Sequence, residues 1–254
     1  MKTLVSITLS AAILTSALIA GEQFAMSDKD RAMYAELLEA NPADIMVAHG
    51  EELFEEIGSD AALAKFLDVS EDDLPKYIAG FPRYVEKLKI VSGLGQVIQA
   101  LQASQGLKPS KLDSHDSADM LAYVKSLAND EKINIDINAN SHMKAAYALG
   151  KEVFETKRGG RGLACLSCHS TDIVGGVLRT QPLPDLGSVK AAATWPAYRM
   201  TKSKMFTLQG RMQQCMHAAL LAKIPKGSKE MVALEVYVTT MSQGKTIQIP
   251  GLKR

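Results

Sequence analysis

Cys165-Leu166-Ser167-Cys168-His169 is the stretch of this chain whose residue types and spacing most directly specify chemistry. Two thiols three positions apart can form thioether bonds to the vinyl groups of one haem, and an imidazole on the next residue can reach its iron. Tether and proximal ligand then come from a single turn. Two other chemistries use paired cysteines. A thioredoxin-like redox pair needs a βαβ setting that the surrounding pattern lacks, and a zinc site needs more ligands at matching spacing. One covalently bound haem c is therefore the expected cofactor, with Cys165 and Cys168 as attachment points and His169 as an iron ligand.

The chain has 3 cysteines. Three are too few for a disulfide scaffold, and an odd number cannot pair internally. Once haem takes two, Cys215 is left over, in Leu208-Gln209-Gly210-Arg211-Met212-Gln213-Gln214-Cys215-Met216. Arg211 precedes it by four residues, so on a helix the two share a face. A neighbouring cation favours thiolate, which can ligate iron or act as a sulfur nucleophile. The blander readings are a small buried hydrophobe or an intermolecular disulfide for Cys215 and a surface charge for Arg211. Met200, Met205, Met212 and Met216 lie nearby as the ordinary second axial ligands of an electron-transfer cytochrome.

The 254 residues are 46% hydrophobic and 22% charged, with net charge +1, which excludes disordered, collagenous and multi-span membrane classes and gives no global signal for nucleic acid. The near-neutral sum hides an asymmetry. Residues 22–75 are rich in Asp and Glu, with only Lys29, Arg31 and Lys65 against them. Residues 186–229 contain neither acid, but hold Lys190, Arg199, Lys202, Lys204, Arg211, Lys223, Lys226 and Lys229. With Cys215 inside it, this basic tract points to a small anion carrying sulfur, while a lysine-rich docking face is the simpler alternative.

Around these residues the pattern is helical. Ala145, Leu149, Val153 and Phe154 follow one helix face, as do Met120, Tyr123, Val124 and Leu127. Pro42 after Asn41 suits a helix start, Gly and Pro between Gly159 and Gly187 predict a long loop, and no alternating run predicts a strand. The chain also resembles itself. Residues 48–55 match 148–155 at an offset of 100, and Phe81-Pro82-Arg83-Tyr84 matches Trp195-Pro196-Ala197-Tyr198 at an offset of 114. The offset of 114 then holds through Val97 and Leu101 against Arg211 and Cys215, and through Met120–Leu127 against Leu234–Met241. The extra residues of the second copy lie where the haem motif does. Lys2 followed by an uncharged run to Ile19, with Ala20 before polar residues, predicts an export signal over residues 1–20. An uncleaved membrane anchor and cleavage at Ala17 are the alternatives, and no later stretch is apolar enough to span a bilayer.

The two repeats, the Cys-x-x-Cys-His motif in the second, and Arg211-Met212-Gln213-Gln214-Cys215 some 45 residues on together resemble the SoxA family of L-cysteine S-thiosulfotransferase subunits. The resemblance covers most of the mature chain. It implies a mainly α fold of two tandem cytochrome c-like domains, residues 21–135 without haem and 136–254 with it. It implies His169 as proximal ligand, Cys215 as distal ligand and catalytic cysteine carried as a persulfide, and Arg211 binding the substrate anion. The implied reaction joins thiosulfate oxidatively to a cysteine of the carrier SoxYZ, with two electrons leaving through haem and the SoxX subunit to a cytochrome acceptor in the periplasm. Some single-haem members add a small subunit, SoxK. Relatives with a haem or disulfide in the first domain differ from this chain, which has no cysteine before Cys165.

Overall fold

The computed structural model describes residues 28–178 and 181–253. The expected export signal lies outside the described residues. Within them no helix is long and apolar enough to cross a membrane. The first half runs α1 (Asp28–Glu39), α2 (Asp44–Glu55), α3 (Asp60–Leu67), α4 (Leu74–Ile78), β1 (Arg83–Val85), β2 (Ile90–Ser92), α5 (Leu94–Ser104) and α6 (His115–Ser126). The second runs α7 (Ser141–Glu155), α8 (Leu166–His169), β3 (Val177–Leu178), β4 (Gln181–Pro182), β5 (Ala197–Arg199), β6 (Lys204–Phe206), α9 (Leu208–Ala219), α10 (Lys229–Thr240) and β7 (Gly251–Lys253).

The helix starts are set locally. Side-chain oxygens of Ser59, Ser114, Asn140, Thr207 and Ser228 accept first-turn amides of α3, α6, α7, α9 and α10, groups that have no partner inside a helix. Leu220, in the left-handed conformation, ends α9.

Elements of the two halves recur at the offsets seen in the sequence. β1, β2, α5 and α6 begin 114 residues before β5, β6, α9 and α10, and α2 ends 100 residues before α7. The main packing also recurs. α2 crosses α6 where Gly50 lies so close to Asp119 that an added Cβ would stand 2.1 Å from its carbonyl oxygen. α7 crosses α10 where a Cβ on Gly150 would stand 2.0 Å from the Ala233 oxygen. Only a residue without a side chain permits either approach.

Small sheets join these helices, a feature that the hydrophobic pattern does not predict. β1 pairs with β2 and β3 with β4, both antiparallel, and β5 lies between antiparallel β6 and parallel β7. Strands of two or three residues are too short for an alternating pattern to register. One apolar core runs through both halves, including Phe54, Ile78, Phe81 and Leu101 from the first and Phe154, Trp195, Met216 and Leu234 from the second. Residues 129–141, a polar stretch between the halves, are folded into this body. Ile133 and Ile135 are buried, and Ile133 and Glu131 exchange backbone hydrogen bonds with Gly244, Lys245 and Ile247.

Candidate functional site

The haem motif lies on a tight turn between α7 and the loop that follows. Cys168 and His169 both donate backbone N–H to the Cys165 carbonyl, at 3.1 and 3.0 Å, and the Ser167 hydroxyl accepts from the Ala164 amide at 3.0 Å. The loop is anchored at its start by Gly159. Its positive φ and its approach to Leu220, where a Cβ would stand 2.4 Å from the carbonyl oxygen, exclude other residues.

β4, paired antiparallel with β3, leads to Pro184, whose carbonyl lies 3.0 Å from His169 Nδ1. Nδ1–H is the donor in that bond, so Nε2 keeps its lone pair for a metal. Burial lowers the His169 pKa, with the Arg211 charge acting in the same direction against the Pro184 hydrogen bond, which favours the neutral, ligating form. The ring lies against Phe154 of α7 at 6.4 Å between centroids, and Phe154 in turn meets Tyr237 of α10 at 5.2 Å. The α7–α10 crossing therefore supports the wall on which the imidazole rests.

Cys165 and Cys168 are free thiols. Burial, then the nearby sulfur of Cys215, raises both, Cys165 to about 11. Two neutral thiols beside a neutral imidazole suit thioether attachment and axial ligation, so the residues present fit a haem c. Cys215 comes from α9, on the same face as Arg211 one turn earlier. The structure thus brings Cys215 within reach of Cys165 and Cys168, and Arg211 within reach of His169. Of the methionines, Met205 and Met216 are buried in the core, and Met212 packs against it.

Some participants escaped the sequence reading. Pro184 supplies the bond that orients His169, and a backbone carbonyl in a loop carries no type signal. Arg158 opposes the rise in the Cys165 pKa. Arg199 was visible only as one of many cations. In the structure it is buried, feels the charges of Arg211 and Cys215, and stands in register between Lys204 of β6 and Lys253 of β7. The basic tract therefore includes cations turned toward the site as well as a solvated face.

Comparison with known proteins agrees with this geometry. Residues 149–247 match the model of the SoxA/TsdA cytochrome c domain. The chain is 28% identical to an L-cysteine S-thiosulfotransferase subunit SoxA of Hydrogenophilus thermoluteolus, covering 100% of this chain and 99% of the relative. A protein of the same name from Hydrogenobacter thermophilus is 26% identical over 84% of this chain and 82% of its own. In fold, the chain resembles a crystal structure of SoxXA from P. pantotrophus with a TM-score of 0.75 and 22% identity, covering 88% of this chain and 84% of that one. That likeness shows that the two chains share their arrangement of helices and small sheets. With haem-motif residues, fold and relatives in agreement, residues 149–247 match a SoxA/TsdA cytochrome c domain, and the chain as a whole is similar to L-cysteine S-thiosulfotransferase SoxA subunits.

Proposed function

We propose that this protein is the catalytic subunit of a periplasmic L-cysteine S-thiosulfotransferase, joining thiosulfate to a cysteine thiol of the carrier SoxYZ. The observation that carries the reading is Cys215 beside Cys165 and Cys168, on the helix face that also bears Arg211. Cys165 and Cys168 would hold the single haem c, and His169 and Cys215 would be its iron ligands. Cys215 is also the active-site sulfur, carried as a persulfide. Haem bound there would supply one-electron acceptor chemistry, with SoxX and a cytochrome as the onward acceptors.

In the overall reaction, the carrier thiol loses its proton and a new S–S bond forms to the outer sulfur of thiosulfate. Two electrons and one proton leave, and the product is a carrier S-thiosulfonate. Arg211 pairs with the sulfonate oxygens, which bring the substrate's charge into a partly buried site; an unpaired dianion there would be expensive. Its guanidinium also holds the outer sulfur of thiosulfate near Cys215. Residues 21–135 are read as a haem-less cytochrome c-like domain, because the chain there repeats the helices of the second half without thiols. The repeated Gly50 and Gly150 crossings support this reading.

Intact mass spectrometry with magnetic circular dichroism tests the proposal. One haem per chain, sulfur-atom adducts that disappear in Cys215→Ser, and lost turnover with normal haem content in Arg211→Ala are expected. His/Met ligation in the oxidised protein, together with thiosulfate oxidation that survives Cys215 alkylation, would make it a plain electron-transfer cytochrome.

A further inference from the structure

α9 has two working edges. Arg211 and Cys215 occupy one. Gln209 and Gln213, also one turn apart, occupy the edge about 200° away at 100° per residue. This second edge is pinned. Gln213 Nε2 donates to the Ile224 carbonyl at 2.7 Å, Gln209 Oε1 accepts from the Gly227 amide at 2.8 Å, and Gln209 Nε2 donates to Glu235 Oε2 of α10 at 2.6 Å.

The bond to Glu235 differs from the other two. It ties α9 directly to α10, the helix that carries Tyr237 behind Phe154 and His169, and it opposes the burial that raises the Glu235 pKa. The first half of the chain closes the network. Gln96 Nε2 donates to the Gly227 carbonyl at 2.9 Å, and Gln96 Oε1 accepts from the Gly93 amide at 3.1 Å. Gly93 leaves room for the carboxylate, because a Cβ there would stand 3.1 Å from Glu235 Oε2. The Lys125 ammonium on α6 is the cation whose field reaches Glu235. Lys125, Gln209 and Glu235 line one cleft of about 40 Å³ between the halves, which admits no more than a few waters. A carboxylate in so dry a place needs its partners, so this network has little freedom to rearrange.

We infer that Glu235 is a positioning residue for Cys215 and Arg211: by holding Gln209 it fixes the rotation and axial setting of α9, and Gly93, Gln96 and Lys125 of the first half hold the other members in place. The inference rests on the proposed role of Cys215 and Arg211 as the reacting sulfur and its anion-binding cation. It gives the haem-less half a direct part in the site, through the setting of the helix that bears both residues.

Gln209→Leu cuts the link while leaving Lys125 and Glu235 in place, and Glu235→Gln keeps an acceptor for Gln209 in place of the carboxyl. The assay compares alkylation of Cys215 by anionic iodoacetate and neutral iodoacetamide in the full-length, haem-loaded, dithiothreitol-reduced protein. Electron paramagnetic resonance of the oxidised form and steady-state kinetics accompany it. Gln209→Leu is expected to lower the iodoacetate-to-iodoacetamide rate ratio by about threefold or more, as Cys215 leaves the field of Arg211. It should also broaden or split the low-spin signal and cut kcat by about tenfold with KM less affected, since small misplacements of reacting groups are costly. Glu235→Gln should restore part of the ratio relative to Gln209→Leu. An unchanged ratio and unchanged resonance in Gln209→Leu, with only a lower melting temperature, would reduce the network to structural glue and overturn the inference. If Gln209→Leu does not accumulate, Gln209→Ala, which also cuts the link, is read by the same ratio and resonance, and parental values for both refute positioning. A ratio in the parent protein that Arg211→Ala leaves unchanged would instead strike the role given to Arg211.

Discussion

Gly150→Ala tests whether the crossing of α7 and α10 supports the His169 wall. The new Cβ would stand 2.0 Å from the Ala233 carbonyl oxygen and 2.9 Å from Tyr237 Cβ, whereas ordinary contact begins at 3.4 Å. The nearest obstacle is backbone, which cannot rotate away, so the two helices must separate. Overpacking of this kind costs about 3 kcal/mol at the upper end of its usual range, and the better helix propensity of Ala returns about 1 kcal/mol. A net loss of about 2 kcal/mol lowers the melting temperature of a chain this size by roughly 4–8 °C. The separation also moves Tyr237 away from Phe154, whose ring lies against His169. Gly50→Ala meets the Asp119 oxygen at 2.1 Å and should cost a similar amount at the α2–α6 crossing, in the half without the Cys-x-x-Cys-His motif. Gly160, with nothing within 4 Å of a built Cβ, is the control. Urea unfolding gives the energies, and the haem Soret and paramagnetic resonance spectra give the site. Both crossing variants should be destabilised, with spectra altered only in Gly150→Ala. Stability of Gly150→Ala within about 0.5 kcal/mol of the parent would refute the packing argument. Equal spectral change in Gly50→Ala would refute the link from crossing to imidazole.

Other contacts make separate demands. His49 Nδ1 lies 3.0 Å from Asp119 Oδ2, and that hydrogen bond raises the His49 pKa above its ordinary 6.5 against the opposing effect of burial. Its contribution is therefore complete below pH 6.5 and disappears as pH rises through the raised value, so the melting temperature should fall slightly between pH 6 and 8. The imidazole is 46% exposed, which holds the effect below about 1 kcal/mol, and His49→Gln should flatten the profile. A parental profile in that variant would remove His49 as the cause. Asn129 grips Ile249 from both sides, donating to its carbonyl at 2.7 Å and accepting its amide at 2.8 Å. Asn129→Ala should cost about 2–3 kcal/mol in urea unfolding by leaving those backbone groups unmet, with haem content unchanged.

What the sequence made legible was whatever is encoded locally or by repetition. The thiol–thiol–imidazole spacing is the chemistry itself, and the offset of 114 reproduces the starts of four elements because capping residues such as Ser114 and Ser228 are repeated with them. The i,i+4 relation of Arg211 and Cys215 survives because it needs only that the segment be helical. Long-range pairings left no such trace. β7 joins β5 across more than fifty residues, in strands too short for alternation, and Arg199 becomes part of the site only through that sheet. Lys125 on α6 and Glu235 on α10, 110 residues apart, come within reach of each other's field only in the folded chain. Residues 129–141 are mostly polar, yet Ile133 and Ile135 carry the segment into the core.

The same observations bear on why a thiol-free half accompanies the haem motif. If it were only a tethered neighbour, its contacts would be surface contacts, and the apolar core would divide between the halves. Instead the core is continuous, and the backbone between the halves is zipped to residues 244–247. At the positions that match Arg211 and Cys215, the first half has Val97 and Leu101, both almost fully buried. Apolar side chains there let α5 seat its face in the core. That brings Gly93 and Gln96 at its start against Gly227 and Glu235, the groups that hold Gln209. Exchanging a cation and a thiol for two aliphatic residues thus turns the same helix from one that presents chemistry into one that braces its counterpart.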